Sequence, residues 1–195
     1  MKLGYKKLHK LYIKEKKSVS EIACLFSCSQ GKLNYWLTKY GIKKRSISDA
    51  IYIKHNPGGD PFSFRGPNNI KEAELFGIGI GLYWGEGTKA NKTTVRIGNS
   101  DPALIRVFIN FLIKFFRIKK GDLKFHLHIF SDINIDKAVD FWMKELNIKR
   151  NQLYKPTITK TGKLGTYRNK SEFGVLTLYY GNVKLKKVLM SLLPM

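Results

Sequence analysis

Glu86 is the acid best placed for chemistry. It ends the run Glu74-Leu-Phe-Gly-Ile-Gly-Ile-Gly-Leu-Tyr-Trp-Gly-Glu86, in which Gly77, Gly81 and Gly85 recur every four residues. On a helix that spacing lines the three glycines along one face and removes the side chains that would hold another backbone away. A glycine costs a helix about 1 kcal/mol relative to alanine, so three on one stripe predict a required close contact. Leu75, Ile78, Leu82 and Tyr83 supply apolar surface beside it. Gly87 stops the helix and leaves the Glu86 carboxylate at its C-terminal tip, against the negative end of the macrodipole. A divalent cation would offset that unfavourable placement. His126 and His128 have an i, i+2 spacing found in metal sites, but no third and fourth ligands lie nearby. Contact with a polyanion is their preferred use. Gly85-Glu-Gly87-Thr-Lys-Ala90 fits a loose G-x-G-x-x-A dinucleotide pattern, yet a helical run precedes it and a strand-like run follows. That is the reverse of the strand-turn-helix order such a site needs.

Charge defines the partner class. The 195 residues carry 36 Lys+Arg against 14 Asp+Glu, a formal charge of +22, with 43% apolar residues, enough to build a core. Residues 1–54 hold 13 basic and 3 acidic side chains, and 71–195 hold 22 and 10. Both halves favour a polyanion, foremost nucleic acid. The longest apolar run, 75–85, is broken by four glycines and is too short to span a bilayer. The first residues lack the apolar core of a signal peptide. Cys24 and Cys28 have no second pair to complete a zinc site and read as reduced thiols. The expectation is a cytoplasmic, nucleoid-associated protein without membrane contact.

The elements that must position these residues fall into two groups. Residues 56–69 contain three prolines and three glycines, which excludes a continuous helix or central strand. This predicts a helical domain over 1–54, a linker over 55–70 and a mixed α/β domain over 71–195. In the first, Leu3, Leu8, Leu11 and Tyr12 form one stripe. Ser18 and Glu21 form a capping-box pattern before Val19, Ile22, Ala23 and Phe26. Ser29 caps a third helix that buries Leu33, Trp36, Leu37 and Tyr40 and stops at Gly41. In the second, 93–98 and 123–130 alternate as strands, and helices are expected to about 116 and over 134–147. Strands near 153–160 and 173–180 and a helix near 182–193 complete it. Lys124, His126, His128 and Phe130 share one strand face, and Leu123, Phe125, Leu127 and Ile129 the other.

Residues 19–40 resemble a helix-turn-helix module. That resemblance implies a third helix in the DNA major groove, with Gln30, Lys32, Asn34 and Tyr35 toward the bases. Lys43, Lys44 and Arg45 would then grip phosphates or reach the neighbouring groove. Gly79-Ile-Gly-Leu-Tyr-Trp-Gly-Glu-Gly87 resembles the LAGLIDADG motif of homing endonucleases: Gly81, Leu82 and Gly87 match, Gly85 stands for a small alanine, and Glu86 takes the acidic eighth position. Trp84 departs from the motif's aspartate at position six, which is not the metal ligand. The family's usual repeat lacks a helix between its third and fourth strands, and the added helix expected over 134–147 makes the chain similar to a divergent, single-motif branch.

The resemblance implies an α+β fold with an antiparallel DNA-binding sheet. It also implies a homodimer through Gly77, Gly81, Leu82 and Gly85, and Mg²⁺ or Mn²⁺ held by Glu86 and Gly85. The sheet would contact double-stranded DNA through Thr94, Arg96, Lys124, His126, His128, Lys160, Lys163 and Arg168. Family members carry a lysine after a comparable helix, which nominates Lys155 as a catalytic partner of Glu86. The implied activity is sequence-specific hydrolysis of duplex DNA. The alternatives are a non-catalytic transcriptional regulator on the same scaffold and, behind it, an RNA splicing maturase.

Overall fold

The computed structural model describes residues 4–161 and 171–194. Among these the fold is α+β, with eight α-helices and a four-stranded mixed sheet. The chain divides between Pro61 and Phe62 into two compact units.

The first unit is wholly helical. Helix α1 (Tyr5–His9) continues into a π-helical turn, Lys10–Lys14, rather than forming one regular helix. Helix α2 (Val19–Leu25) starts with the reciprocal Ser18/Glu21 capping box that the sequence predicts. It ends at Ser27, which takes a left-handed φ of 46° while the Cys28 N–H returns to the Ala23 carbonyl. Helix α3 (Gln30–Lys39) is capped by Ser29 and ends in the same manner at Gly41, φ 65°. Leu8, Tyr12, Ile22, Ala23, Leu33, Leu37 and Ile42 form the core, with Leu11, Val19, Phe26, Trp36 and Tyr40 packed around it.

A fourth helix, α4 (Ile47–His55), is absent from the sequence-based expectation of three. Ser46 caps it by accepting the Asp49 N–H, a signal present in the sequence. None of its residues is buried, so no strong apolar stripe marked it.

The second unit begins inside the expected linker. Residues 62–69 form an arm rather than a free tether: the Ser63 and Arg65 N–H groups donate to the Phe116 and Phe115 carbonyls at 3.1 and 2.9 Å. Phe64 stacks on Phe116. Asn69 then caps helix α5 (Ile70–Glu86), the glycine helix. Strand β1 (Thr94–Asn99) leads through the Asp101 cap and Pro102 into helix α6 (Pro102–Phe116), which buries seven large apolar side chains. Strand β2 (Lys124–Phe130), helix α7 (Ile135–Leu146), the short strand β3 (Thr157–Thr159), strand β4 (Val175–Gly181) and helix α8 (Val183–Ser191) follow.

The sheet order is β1-β4-β2-β3. β4 is antiparallel to both β1 and β2, but β2 and β3 are parallel. This corrects the expectation of an antiparallel sheet. Helix α7 lies between β2 and β3 in the chain and carries it back to the same end, so β3 re-enters in the direction of β2. The inner face, Val95, Ile97, Phe125, Leu127, Ile129, Leu176, Leu178 and Tyr180, packs into one core with α6, α7 and α8.

Candidate carboxylate site and nucleic-acid interface

Helix α5 turns its glycines both ways. The only tight inward approach on its length is at Gly79, where a Cβ would stand 2.2 Å from the Phe111 ring of α6. Gly77, Gly81 and Gly85 meet nothing within 4 Å. Within the chain, their stripe is therefore not the close contact that their spacing predicts. It lies on the outer side of α5 with Ile70, Ile78 and Trp84, which are 79%, 53% and 52% exposed. Leu82 is half-buried on the flank. The helix thus presents a smooth apolar face to its surroundings while Tyr83 stacks on Phe108 behind it.

Glu86 is exposed at the foot of this helix, and its carboxylate has no hydrogen-bond or ion-pair partner among the described residues. Gly87 is bridged to Ile97 and Thr88 donates its N–H to the Arg96 carbonyl at 3.0 Å, so the foot is laced to the outer edge of β1. A Cβ on Gly87 would collide with Tyr83, which is why the chain turns there on a glycine.

Two lysines occupy the same place. Lys89 donates to the Trp84 carbonyl, one of the last-turn acceptors of α5. Lys186, from α8 and only 2% exposed, donates to the Tyr83 hydroxyl at 2.5 Å and the Thr88 carbonyl at 2.6 Å. Burial, and then the charge of Lys89, lower the Lys186 pKa, and burial pushes that of Tyr83 up to about 12. The helix's negative end is thus already met in part by cations, although neither lysine pairs with Glu86. Sequence reasoning missed Lys186, because α8 lies about 100 residues further along the chain, and gave Lys89, three residues past Glu86, no role.

Lys155 is not among them. It is exposed just ahead of β3, while Glu86 adjoins β1, at the opposite edge of the sheet. Three interstrand spacings, roughly 14 Å, separate those edges, so within one chain Lys155 does not reach Glu86.

A divalent cation fits this foot only in part. One unpaired, exposed carboxylate and the last-turn carbonyl of Gly85 are oxygen donors suited to Mg²⁺ or Mn²⁺. Among the described residues no three His, Cys, Asp or Glu side chains gather into a metal site. The remaining donors must come from water, from phosphate or from a second copy.

The outer face of the sheet gathers the strand residues singled out from the sequence. Arg96 stands opposite Tyr179, which stands opposite Lys124, and Thr177 stands between Gly98 and His126. Thr94, Arg96, Lys124 and His126 are half-buried and His128 is exposed. Most of them have internal partners. The His126 and His128 Nε2 atoms are hydrogen-bonded to the Thr157 and Thr159 hydroxyls at 2.9 and 2.7 Å. Lys124 donates to the Asn151 carbonyl at 3.0 Å. Arg96 instead lies over the Tyr179 ring at 5.1 Å, with no hydrogen-bond partner among the described residues. Lys160 is exposed beyond β3, and Lys163 and Arg168 lie outside the described residues. Tyr179, Thr177, Thr157 and Thr159 belong to this face too, and alternation along β4 is the signal that places the first two.

On the first unit, Gln30, Lys32 and Tyr35 are exposed along α3 and Asn34 is half-buried. Lys39, unremarked in the sequence, extends its ammonium over the Tyr35 and Trp36 rings. Lys43 and Lys44 are exposed. Arg45, expected to grip phosphate, is engaged within the unit. Its guanidinium donates to the carbonyls of Tyr12, Lys16 and Lys17 at 2.6–2.8 Å and covers the Tyr12 ring. It fastens the segment before α4 to the end of the first helix.

No helix among the described residues is long and apolar enough to cross a membrane. Compared with protein-family models, curated proteins and solved structures, the chain matches none.

Proposed function

We propose that this protein is a sequence-specific, divalent-metal-dependent endonuclease of duplex DNA, similar to single-motif LAGLIDADG enzymes. In this reading it works as a homodimer, and its first unit is a helix-turn-helix reader. One observation carries the reading: the outward glycine face of α5 is bare of neighbours and ends in a carboxylate with no partner among the described residues. A face of Ile70, Gly77, Ile78, Gly81 and Trp84 exposed to water is costly unless covered, and its small residues suit a second copy of the same helix. Pairing would bring two Glu86 carboxylates into one neighbourhood.

Glu86 and the Gly85 carbonyl would hold Mg²⁺ or Mn²⁺, which supplies activation of water and stabilisation of the leaving oxygen in phosphodiester hydrolysis. The chain's own residues do the rest. The basic, hydroxyl-bearing sheet face takes the duplex. The bridge from Gly87 to Ile97 keeps Glu86 against the strand that meets it. Lys89 and Lys186 fix the turn after α5.

The same two lysines favour a second reading, a regulator without catalysis, since they already oppose the negative end of α5 without metal. Incubating a randomised duplex pool with the protein, in Mg²⁺ or EDTA, and sequencing bound and cut species separates the two. The expected outcome is Mg²⁺-dependent staggered cuts at a fixed position, abolished in Glu86→Gln while binding persists. Enrichment of one sequence with no broken ends would replace the endonuclease by the regulator.

A further inference from the structure

Resting on that duplex-DNA reading, we infer that Arg96 reads a guanine through its major-groove edge and fixes the base preference of the sheet. Its guanidinium is the cationic group on the outer sheet face left without a hydrogen-bond partner among the described residues. Lys124, His126 and His128 each spend a donor or acceptor on Asn151, Thr157 or Thr159.

Arg96 is also held in place. Its guanidinium rests on the Tyr179 ring at 5.1 Å, and Tyr179 is braced edge-on by Tyr154 at 6.1 Å. Its Nε is shut away from solvent with no acceptor, so the terminal N–H groups are the ones left to meet a base edge. Beside it the face is open on one side. Gly181, diagonally across on β4, has nothing within 4 Å of its Cβ position, whereas the Thr177 hydroxyl stands over Gly98, its outer-face neighbour along β1. A base edge has room to approach there.

A planar fork held on an aromatic ring suits the O6/N7 acceptor pair of guanine, the commonest specific contact in the major groove. The Arg96 carbonyl accepts from Thr88, two residues from Glu86. The guanine read is therefore one close to the carboxylate site.

The test is binding selection from a randomised duplex pool in EDTA with wild type, Arg96→Gln, Tyr179→Phe and Tyr179→Leu, each shown to be folded by its melting curve. Wild type is expected to select guanine at one position of each half-site. Arg96→Gln should select adenine there and leave the other positions unchanged, because glutamine matches the adenine edge. Tyr179→Phe should keep the guanine preference and Tyr179→Leu should weaken it. Placing 7-deazaguanine at that position should weaken wild-type binding on the order of tenfold and leave Arg96→Gln unaffected. If Arg96→Gln instead binds every sequence less tightly by one factor, with a shallower salt dependence, Arg96 is a phosphate contact and the inference falls while the duplex reading stands. If wild type enriches no sequence at all, the duplex reading falls, and the inference with it.

Discussion

Glycines in one helix serve opposite ends. Gly79 is small because Phe111 occupies the space that its side chain would need. Gly79→Ala is expected to lower stability by about 1–3 kcal/mol through overpacking, read from urea unfolding. Gly77 faces open space, so Gly77→Ala should raise the stability of the isolated chain by about 1 kcal/mol through helix propensity alone. The comparison belongs at concentrations where the protein is monomeric, and equal effects at the two positions would contradict this division of α5. The lysines show a similar separation of roles. Lys89 and Lys186 lie at the foot of α5, whereas Lys155, nominated from its place in the sequence, lies beside the far edge strand.

At the scale of elements, one carboxylate ties three segments together. Glu72 in the first turn of α5 accepts two hydrogen bonds from Arg65 of the arm, both 2.9 Å, one from the Asn68 N–H, and pairs with Lys114 of α6 at 3.0 Å. Arg65 first, then Lys114 and the Asn68 N–H, lower its pKa to about 2. The folded value lies below the unfolded one, roughly 4.3. The stabilisation is therefore complete above the unfolded value and is lost as pH falls toward about 2. Thermal melts of wild type and Glu72→Gln are expected to differ most above pH 5 and to converge near pH 2. A difference that does not change with pH would show that the carboxylate charge is not what holds the arm. Arg45 does comparable work in the first unit, closing three carbonyls with one guanidinium.

At the scale of the whole molecule, the proposed homodimer rests on the exposed face of α5. That face runs over 17 residues, about 25 Å at helical rise, and its glycines let a second helix approach to backbone contact. Wild type is expected to sediment as a dimer and Gly81→Leu as a monomer with an unchanged circular dichroism spectrum. A Gly81→Leu dimer as tight as wild type would remove α5 from the interface. Basic residues distributed through both units suit binding along an extended polyanion better than a single charged patch would.

Local signals were legible in the sequence because they act over three or four residues. The Ser18/Glu21 box, the cap at Ser29, the stop at Gly41 and the alternation of β1 and β2 are all determined by neighbours along the chain. So were the charge and the outward set of Thr94, Arg96, Lys124, His126 and His128, since strand period alone assigns a face. The sequence read the glycine stripe as a contact surface, yet its spacing is equally that of a face left open, and only the packing of α6 on Gly79 shows which side is filled. Tertiary structure alone decided that β3 lies parallel to β2, that Lys186 reaches the end of α5 and that Arg45 turns inward. It also decided that the Arg96 side chain lies on the Tyr179 ring with no hydrogen-bond partner among the described residues. Each of these depends on atoms brought together from distant points in the chain, and no pattern within a single segment records them.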